Sequence, residues 1–364
     1  IYRQSLSDTF AMNTGFIRRG LDLLENTGLH QLGTLADRMR RSLHPDNVVT
    51  FINDRNINYS NICISRCRFC AFYRNQKDPE AYLLSYKEIG RKIDEAKSCG
   101  AVQILLQGGL HPGLDLDWYL GLLRYIKANH PIHVHGFSAP EIDHISRVSG
   151  LGHERVIGQL AEAGLDSIPG GGAEIFNQQV RSKICPEKIS GTRWLEVHKA
   201  LHQAGIPSNA TMLYGHLEKY QHRVDHLEKL RKLQDQTRGF SAFVPLAFHP
   251  KNTRIDHPYY TTGIDDLKTI AVSRLYLDNF PHIKAFWIML GEKLAQVSLW
   301  FGADDLDGTV EEEKITHMAG AKTPEALKRE ELIRLIQEAG RAVSYTHLRA
   351  HETSLHLVCR LLLE

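Results

Sequence analysis

Ile57-Asn-Tyr-Ser-Asn-Ile-Cys63-Ile-Ser-Arg-Cys67-Arg-Phe-Cys70 opens as a strand-like run, Ile57–Ser65, and passes into a loop that carries three cysteines. It is the first unit of an alternating pattern. Further strand-like runs are Ala101–Gln107, Ile132–Phe137, Ser167–Pro169, Ser208–Tyr214, Ser241–Phe248 and Ile283–Leu290. Helix-like segments lie between them at Ser85–Ser98, Gly152–Ala163, Thr192–Ala204, Leu217–Gln236 and Ile264–Asn279. In Leu217–Gln236, Leu217, Val224, Leu227, Leu230 and Leu233 fall near one face among charges, as a 3.6-residue period requires. Gln296–Phe301 follows the seventh run too closely for a parallel crossover, so Glu292–Trp300 reads as helix and Phe301–Leu306 as a short eighth strand. Eight such units predict an α/β fold, a closed (β/α)8 TIM-type barrel over residues 49–341 with an N-terminal helical extension over 1–48.

Composition agrees. The 364 residues are 42% hydrophobic and 24% charged, ordinary for a globular chain and foreign to disordered or collagenous ones. Lys+Arg 44 against Asp+Glu 42 leaves +2, no electrostatic footprint for nucleic acid or an anionic membrane. No apolar run approaches the ~20 residues of a membrane span. Ile1–Arg40 has no secretory-signal pattern, so a cytoplasmic protein is expected. Residues 342–364 read as an atypical tail resembling translated foreign sequence, with His347, His351, His356 and Cys359 lacking any partner motif.

In a barrel of this kind the chemistry sits at the C-terminal ends of the strands. Those ends carry the cysteine loop, Gln107-Gly-Gly-Leu-His-Pro112, Pro169-Gly-Gly-Gly-Ala-Glu174, Tyr214-Gly-His216, Phe248-His-Pro-Lys-Asn-Thr253 and Gly302-Ala-Asp-Asp305. Cys63, Cys67 and Cys70 can converge from one loop as soft thiolate ligands for an iron–sulfur cluster. Structural zinc takes four ligands, and no His or Cys stands at a local spacing to complete it. Cys99 and Cys185 are expected to be inert.

The cysteine spacing, with Phe69 before the third thiol, resembles the signature of the radical S-adenosylmethionine superfamily. Cys70-Ala-Phe-Tyr-Arg74, Gln107–Pro112 and Pro169–Ile175 are similar to its menaquinone (futalosine-route) and deazaflavin enzymes. Asn209–His216, Pro245–Pro250, Lys284–Leu290, Phe301–Thr309 and His317–Ala321 look like the aminofutalosine synthases among them. Gln103–Gly109 and His135–Glu141 look more like the sister family, the dehypoxanthine futalosine cyclases. A non-catalytic zinc-binding barrel is the alternative of a different class.

The synthase resemblance implies a 4Fe-4S cluster on Cys63, Cys67 and Cys70, whose remaining iron takes S-adenosylmethionine as a consumed cosubstrate. It implies a 5′-deoxyadenosyl radical that adds to 3-[(1-carboxyvinyl)oxy]benzoate, then rearrangement and loss of carboxylate, with flavodoxin or ferredoxin as electron donor. Phe69, Gly108, Gly109, Glu174 and Arg181 match positions that hold the cosubstrate in related barrels. His216, His249 and Asp304 are candidate catalytic groups, with Asp305 beside the last. Arg74, Asn252 and Arg274 join the two histidines as candidate donors to the substrate's carboxylates.

Overall fold

The computed structural model describes residues 13–256 and 261–345. Helices Asn13–Glu25 and Leu29–Leu43 precede β1 (Val48–Ile52) and β2 (Asp54–Asn58), which Asn53 alone separates. The remaining strands are β3 (Gln103–Gln107), β4 (His133–Gly136), β5 (Ser208–Tyr214), β6 (Phe240–Ala247), β7 (His282–Ile283), β8 (Asp305–Gly308) and β9 (Ala342–Tyr345).

Every ladder is parallel, and the ladders close on themselves. β2 pairs β3, and β3 pairs β4. His135 then bridges Ser167, and Ile168 bridges Ser208, so residues 167–168 fill the place between β4 and β5. β5, β6 and β7 follow. Lys284 bridges Asp305, β8 pairs β1, and Arg55 bridges Glu311 just beyond β8. With β1 and β2 taken as one bent strand, eight positions make the expected (β/α)8 ring.

The outer helices form where sequence period and caps agree. Ser85 accepts from the Glu88 amide while the Glu88 carboxylate accepts from the Ser85 amide, which starts Tyr86–Ser98. Asp115, Ser190 and Thr262 cap Leu116–Asn129, Gly191–Gln203 and Gly263–Tyr276 in the same way with one side chain each. Ile89, Ile93, Leu123, Ile126, Val197 and Ile270 are fully buried on the inward faces, each worth about 1.5–3 kcal/mol of apolar burial. Leu32 and Ala36 bury the N-terminal pair, and Asp37 accepts from both Arg40 and Arg341 at 2.9 Å, tying that pair to the end of the barrel. No helix among the described residues is long and apolar enough to cross a membrane.

Three strands lie elsewhere than expected. The first is not Ile57–Ser65 but 48–58: Val48–Ile52 is largely apolar, but Asp54, Asn56 and Asn58, which face the lumen, interrupt the apolar run before it resumes at Ile57. The seventh run is apolar because Trp287 and Ile288 are buried in a helical turn, Trp287–Leu290; only His282–Ile283 is ladder. The eighth strand starts at Asp305, near where Phe301–Leu306 was expected to end. Asp304 thus stands at the N-terminal end of β8, on the floor of the barrel rather than at its mouth. Its Oδ1 accepts from Arg274 at 2.9 Å and from the Ile283 amide at 2.8 Å, and its Oδ2 meets His44 at 2.7 Å and His282 at 3.0 Å. Burial alone would raise this carboxyl, but Arg274, then His282 and His44, hold it well below the usual range. Asp304 and Arg274 are therefore a structural pair, not catalytic or substrate-binding groups.

β9 pairs β1 from Val48↔Ala342 to Phe51↔Tyr345, so the paired structure runs four residues past Arg341, into the segment set apart as a tail. Residues 346–364, with His347, His351, His356 and Cys359, lie outside the described residues, as do 1–12.

Removing one partner of a buried pair leaves the other uncompensated. Asp304→Ala should lower the unfolding free energy by about 3–5 kcal/mol in a denaturant titration. Unchanged stability with lost turnover would return Asp304 to a chemical role.

Candidate active site

A cavity of about 910 Å³ occupies the barrel lumen, with the three cysteines on its wall. The loop that carries them is held by its backbone. The Cys63 amide donates to Arg74 O at 3.2 Å, Cys70 to Cys67 O at 3.2 Å, and Arg68 to Ile184 O at 2.8 Å. The Arg254 guanidinium donates to Arg66 O from the far side of the mouth. All three thiols are free, Cys67 buried and the other two half-buried. Burial pushes the Cys67 and Cys70 thiols up, and Lys188 acts against it at both.

The end of β3 presses on this loop. A Cβ at Gly109 would lie 2.2 Å from Ile62 O and 2.8 Å from Cys63 Cβ; one at Gly108 would lie 2.3 Å from the Tyr59 ring. Glycine is required at both by close approach. Among the described residues, the set of His, Cys, Asp or Glu ligand atoms lying within 4.8 Å of one another is His44, His282 and Asp304, at the floor. Three soft donors on one loop, with the cavity open beside them, fit a thiolate-held cluster.

Glu174 lines the same wall in a left-handed conformation, φ +46°, and accepts from Lys188 at 2.6 Å. Arg181 does not reach the cavity. Its buried guanidinium donates to the carbonyls of Gly172 (3.2 Å), Ala173, Ile175 (3.2 Å) and Ile189, so it clamps the turn that presents Glu174. Phe69 lines the wall with the Lys188 ammonium 5.3 Å from its ring centroid.

The remaining candidates divide. His249 lines the cavity and donates through Nε2 to Met289 O at 3.0 Å; Asp305 lines it and accepts from Thr50 at 2.7 Å. His216 does not line it: the side chain is buried, Nε2 donates to Leu213 O at 3.0 Å, and Nδ1 accepts from the Leu217 amide at 2.7 Å. It ends a strand, as expected, but is turned back to close its own loop. Arg74 binds Glu80 and its neighbours' carbonyls, and Asn252 donates to Met318 O at 2.9 Å; neither lines the cavity.

Three lining residues escaped the sequence reading. Lys188 sits in a short loop with no motif of its own. Lys284, one residue past β7, donates to Asp307 at 2.9 Å. Burial, then Asp307, pushes Asp54 nearby up to about 7. Glu141 ends a quoted stretch, His135–Glu141, but was given no role. It accepts from Tyr59 at 2.6 Å, Ser138 at 2.5 Å and the Gly108 amide at 3.2 Å, which links it to the β3 glycines.

Comparison with known proteins gives this arrangement its class. Residues 57–230 match the radical SAM superfamily, and residues 237–354 match the CofH/MqnC C-terminal region. The FeFe-hydrogenase maturase HydG from Carboxydothermus hydrogenoformans superposes with a TM-score of 0.74 at 17% identity, covering 95% of this chain and 79% of that one; the likeness is one of fold. The chain is a radical S-adenosylmethionine enzyme, a class that uses a 4Fe-4S cluster and S-adenosylmethionine.

Its relatives narrow the class. It is 45% identical to the aminodeoxyfutalosine synthase of Thermus thermophilus, over 88% of each chain. It is 44% identical to the 5-amino-6-(D-ribitylamino)uracil–L-tyrosine 4-hydroxyphenyl transferase of Methanopyrus kandleri, over 80% of this chain and 81% of that one. It is 38% identical to the cyclic dehypoxanthine futalosine synthase of Halalkalibacterium halodurans, over 91% and 90%. The chain belongs to the family that these futalosine-pathway and transferase enzymes form.

Glu141 carries a pH signature. Burial, against its three donors, pushes the carboxyl from the usual 4.5 up to about 7. The fold thus favours its protonated form: that stability is present below pH 4.5 and is lost as pH rises through 7, at up to about 1.4 kcal/mol per unit. Glu141→Gln should flatten the fall in unfolding free energy between pH 5 and 7. An unchanged pH profile would show that Glu141 is ionised throughout.

Proposed function

We propose that this chain is an aminodeoxyfutalosine synthase acting on 3-[(1-carboxyvinyl)oxy]benzoate, with flavodoxin or ferredoxin supplying the electron. The observation that carries the reading is the 45% identity to a synthase over 88% of each chain. The cavity supports it. Its volume is at the upper end of the ~300–1,000 Å³ usual for ligand sites, room for a cosubstrate and an aryl acid together.

When bound, the cluster supplies the electron that cleaves S-adenosylmethionine to a 5′-deoxyadenosyl radical. The protein's part is binding, orientation and exclusion of water. Glu174 and Lys188 offer one acceptor and one donor to the methionine ammonium and carboxylate, and Phe69 offers an apolar face to the adenosine. Phe248, Phe286 and Met289 give the aryl ring an apolar wall, with His249 and Lys284 beside it as donors to its two carboxylates. Held there, the enol-ether double bond would take the radical; rearrangement onto the arene, loss of one carboxylate as carbon dioxide and departure of the one electron then left over would give closed-shell aminofutalosine.

A second reading is the cyclase, favoured by the Gln103–Gly109 and His135–Glu141 stretches, which supply cavity walls at Gln103, Gln107, His135 and Glu141. One assay separates the readings. Anaerobically reconstituted protein is given reductant, S-adenosylmethionine and, in turn, the carboxyvinyl benzoate, a futalosine-type nucleoside, or tyrosine with a ribitylaminouracil. Mass spectrometry should find a new adduct only with the first; turnover of either other substrate instead of the first overturns the proposal.

Cys63→Ala, Cys67→Ala and Cys70→Ala should each abolish reductive cleavage of S-adenosylmethionine, read as formation of the 5′-deoxyadenosyl-containing product, since an incompletely held cluster cannot deliver the electron. Product formation at the wild-type rate by any one of them would exclude that thiol as a ligand. Glu174→Gln should weaken S-adenosylmethionine binding by about ten- to a hundredfold, the loss of one ionic hydrogen bond, as read by equilibrium dialysis. Unaltered affinity would leave Glu174 a role in the turn alone.

A further inference from the structure

Lys188 is placed by the loop after helix Gln178–Ile184, and no quoted motif contains it. Its side chain is only 16% exposed. It lies on the cavity wall with the three cysteines, 2.6 Å from Glu174 Oε1 and 5.3 Å from the Phe69 ring centroid. Its charge acts on two of the thiols, Cys67 and Cys70. The neighbouring cations are turned elsewhere. Arg254 donates to Arg66 O and lies 5.1 Å from the Tyr73 ring, Arg74 pairs with Glu80, and Arg66 and Arg68 are exposed and outside the cavity.

A cluster gains a negative charge when it is reduced. A fixed positive charge in its desolvated surroundings stabilises that reduced state, and a fixed negative charge opposes it. We propose that Lys188 is a positioning residue that sets the reduction potential of the cluster held by Cys63, Cys67 and Cys70, with Glu174 as its opposing counter-charge. The step is a one-electron reduction of the cluster by an external low-potential donor, and no bond is made or broken in it. This rests on the cluster reading of the three cysteines.

The sign of the effect tests it. The full chain is reconstituted without air, its iron and sulfide are counted, and the midpoint is read by EPR during titration with titanium(III) citrate, with neither cosubstrate nor substrate present. Lys188→Met should move the midpoint to more negative potential, Lys188→Arg should keep it near wild type, and Glu174→Gln should move it the opposite way from Lys188→Met. A merely structural role for the pair would not give shifts of opposite sign. An unmoved midpoint in Lys188→Met with four irons bound overturns the proposal. If Lys188→Met does not hold four irons, Glu174→Gln decides, and an unmoved or more negative midpoint there overturns it equally. A wild-type chain that takes up no four-iron cluster fails at the earlier step and removes the cluster reading itself.

Discussion

The backbone at Gly109 passes so close to Ile62 O that even one carbon on its Cα would collide. The site's geometry depends on that contact. Its amide also donates to Ser60 O at 2.9 Å, and Ile64 returns a bond to Leu110 O at 3.1 Å, so the cysteine loop is seated on the end of β3. One residue earlier, Gly108 admits the Tyr59 ring, and the Tyr59 hydroxyl reaches Glu141. Tyr119 and Phe137 meet that ring edge-on at 6.1 and 6.3 Å. Loop, strand end and the Glu141 carboxylate in the first turn of helix Ala139–Ser149 are therefore one packed unit around the thiols.

Behind that unit the lumen is polar, which most barrel interiors are not. Buried charges of this kind survive only in pairs. Lys284 lies between Asp305 at 3.6 Å and Asp307 at 2.9 Å, with Asp54 close enough to feel all three. His135 shares the Ser167 hydroxyl with His133, each at 2.7 Å, and burial, more than its charged neighbours, holds it in the neutral form. The barrel thus separates two tasks. The floor spends its charges on holding β7, β8 and the N-terminal helices together, while the mouth keeps groups that can still change partner.

That division explains what the sequence could show. The helices were legible because period and caps agree, as at Ser85 and Glu88, and β5 because its apolar run coincides with its ladder. The first strand was displaced because Asp54 and Asn56 look like loop residues until the lumen they face is known. Asp304 and Asp305 are adjacent in a motif, yet one serves the floor and the other the cavity, a difference set by where the eighth strand begins. His216, just past a strand end, and Arg181, in helix Gln178–Ile184, have the right chemistry, but their donors are consumed by backbone carbonyls that no linear reading counts. Lys188 and Lys284 were passed over for the converse reason: a single lysine, even at the head of a quoted stretch as Lys284 is, looks like any surface lysine until burial singles it out.

The family's relatives carry three different activities in their names, at 45, 44 and 38% identity to this chain. This chain's class uses S-adenosylmethionine whatever the substrate, so under the proposed function the groups around the thiols, Phe69 and Glu174 need not differ with the substrate. Function on a shared fold is set by the walls that meet the variable ligand. Under the proposed function those walls are the end of β6, at Leu246, Phe248 and His249, and the stretch after β7, at Lys284, Phe286 and Met289, all of which line the cavity. The Met289 carbonyl takes the His249 Nε2 proton at 3.0 Å, so the two walls are fastened to one another. A shift of either wall alone would stretch or break that hydrogen bond.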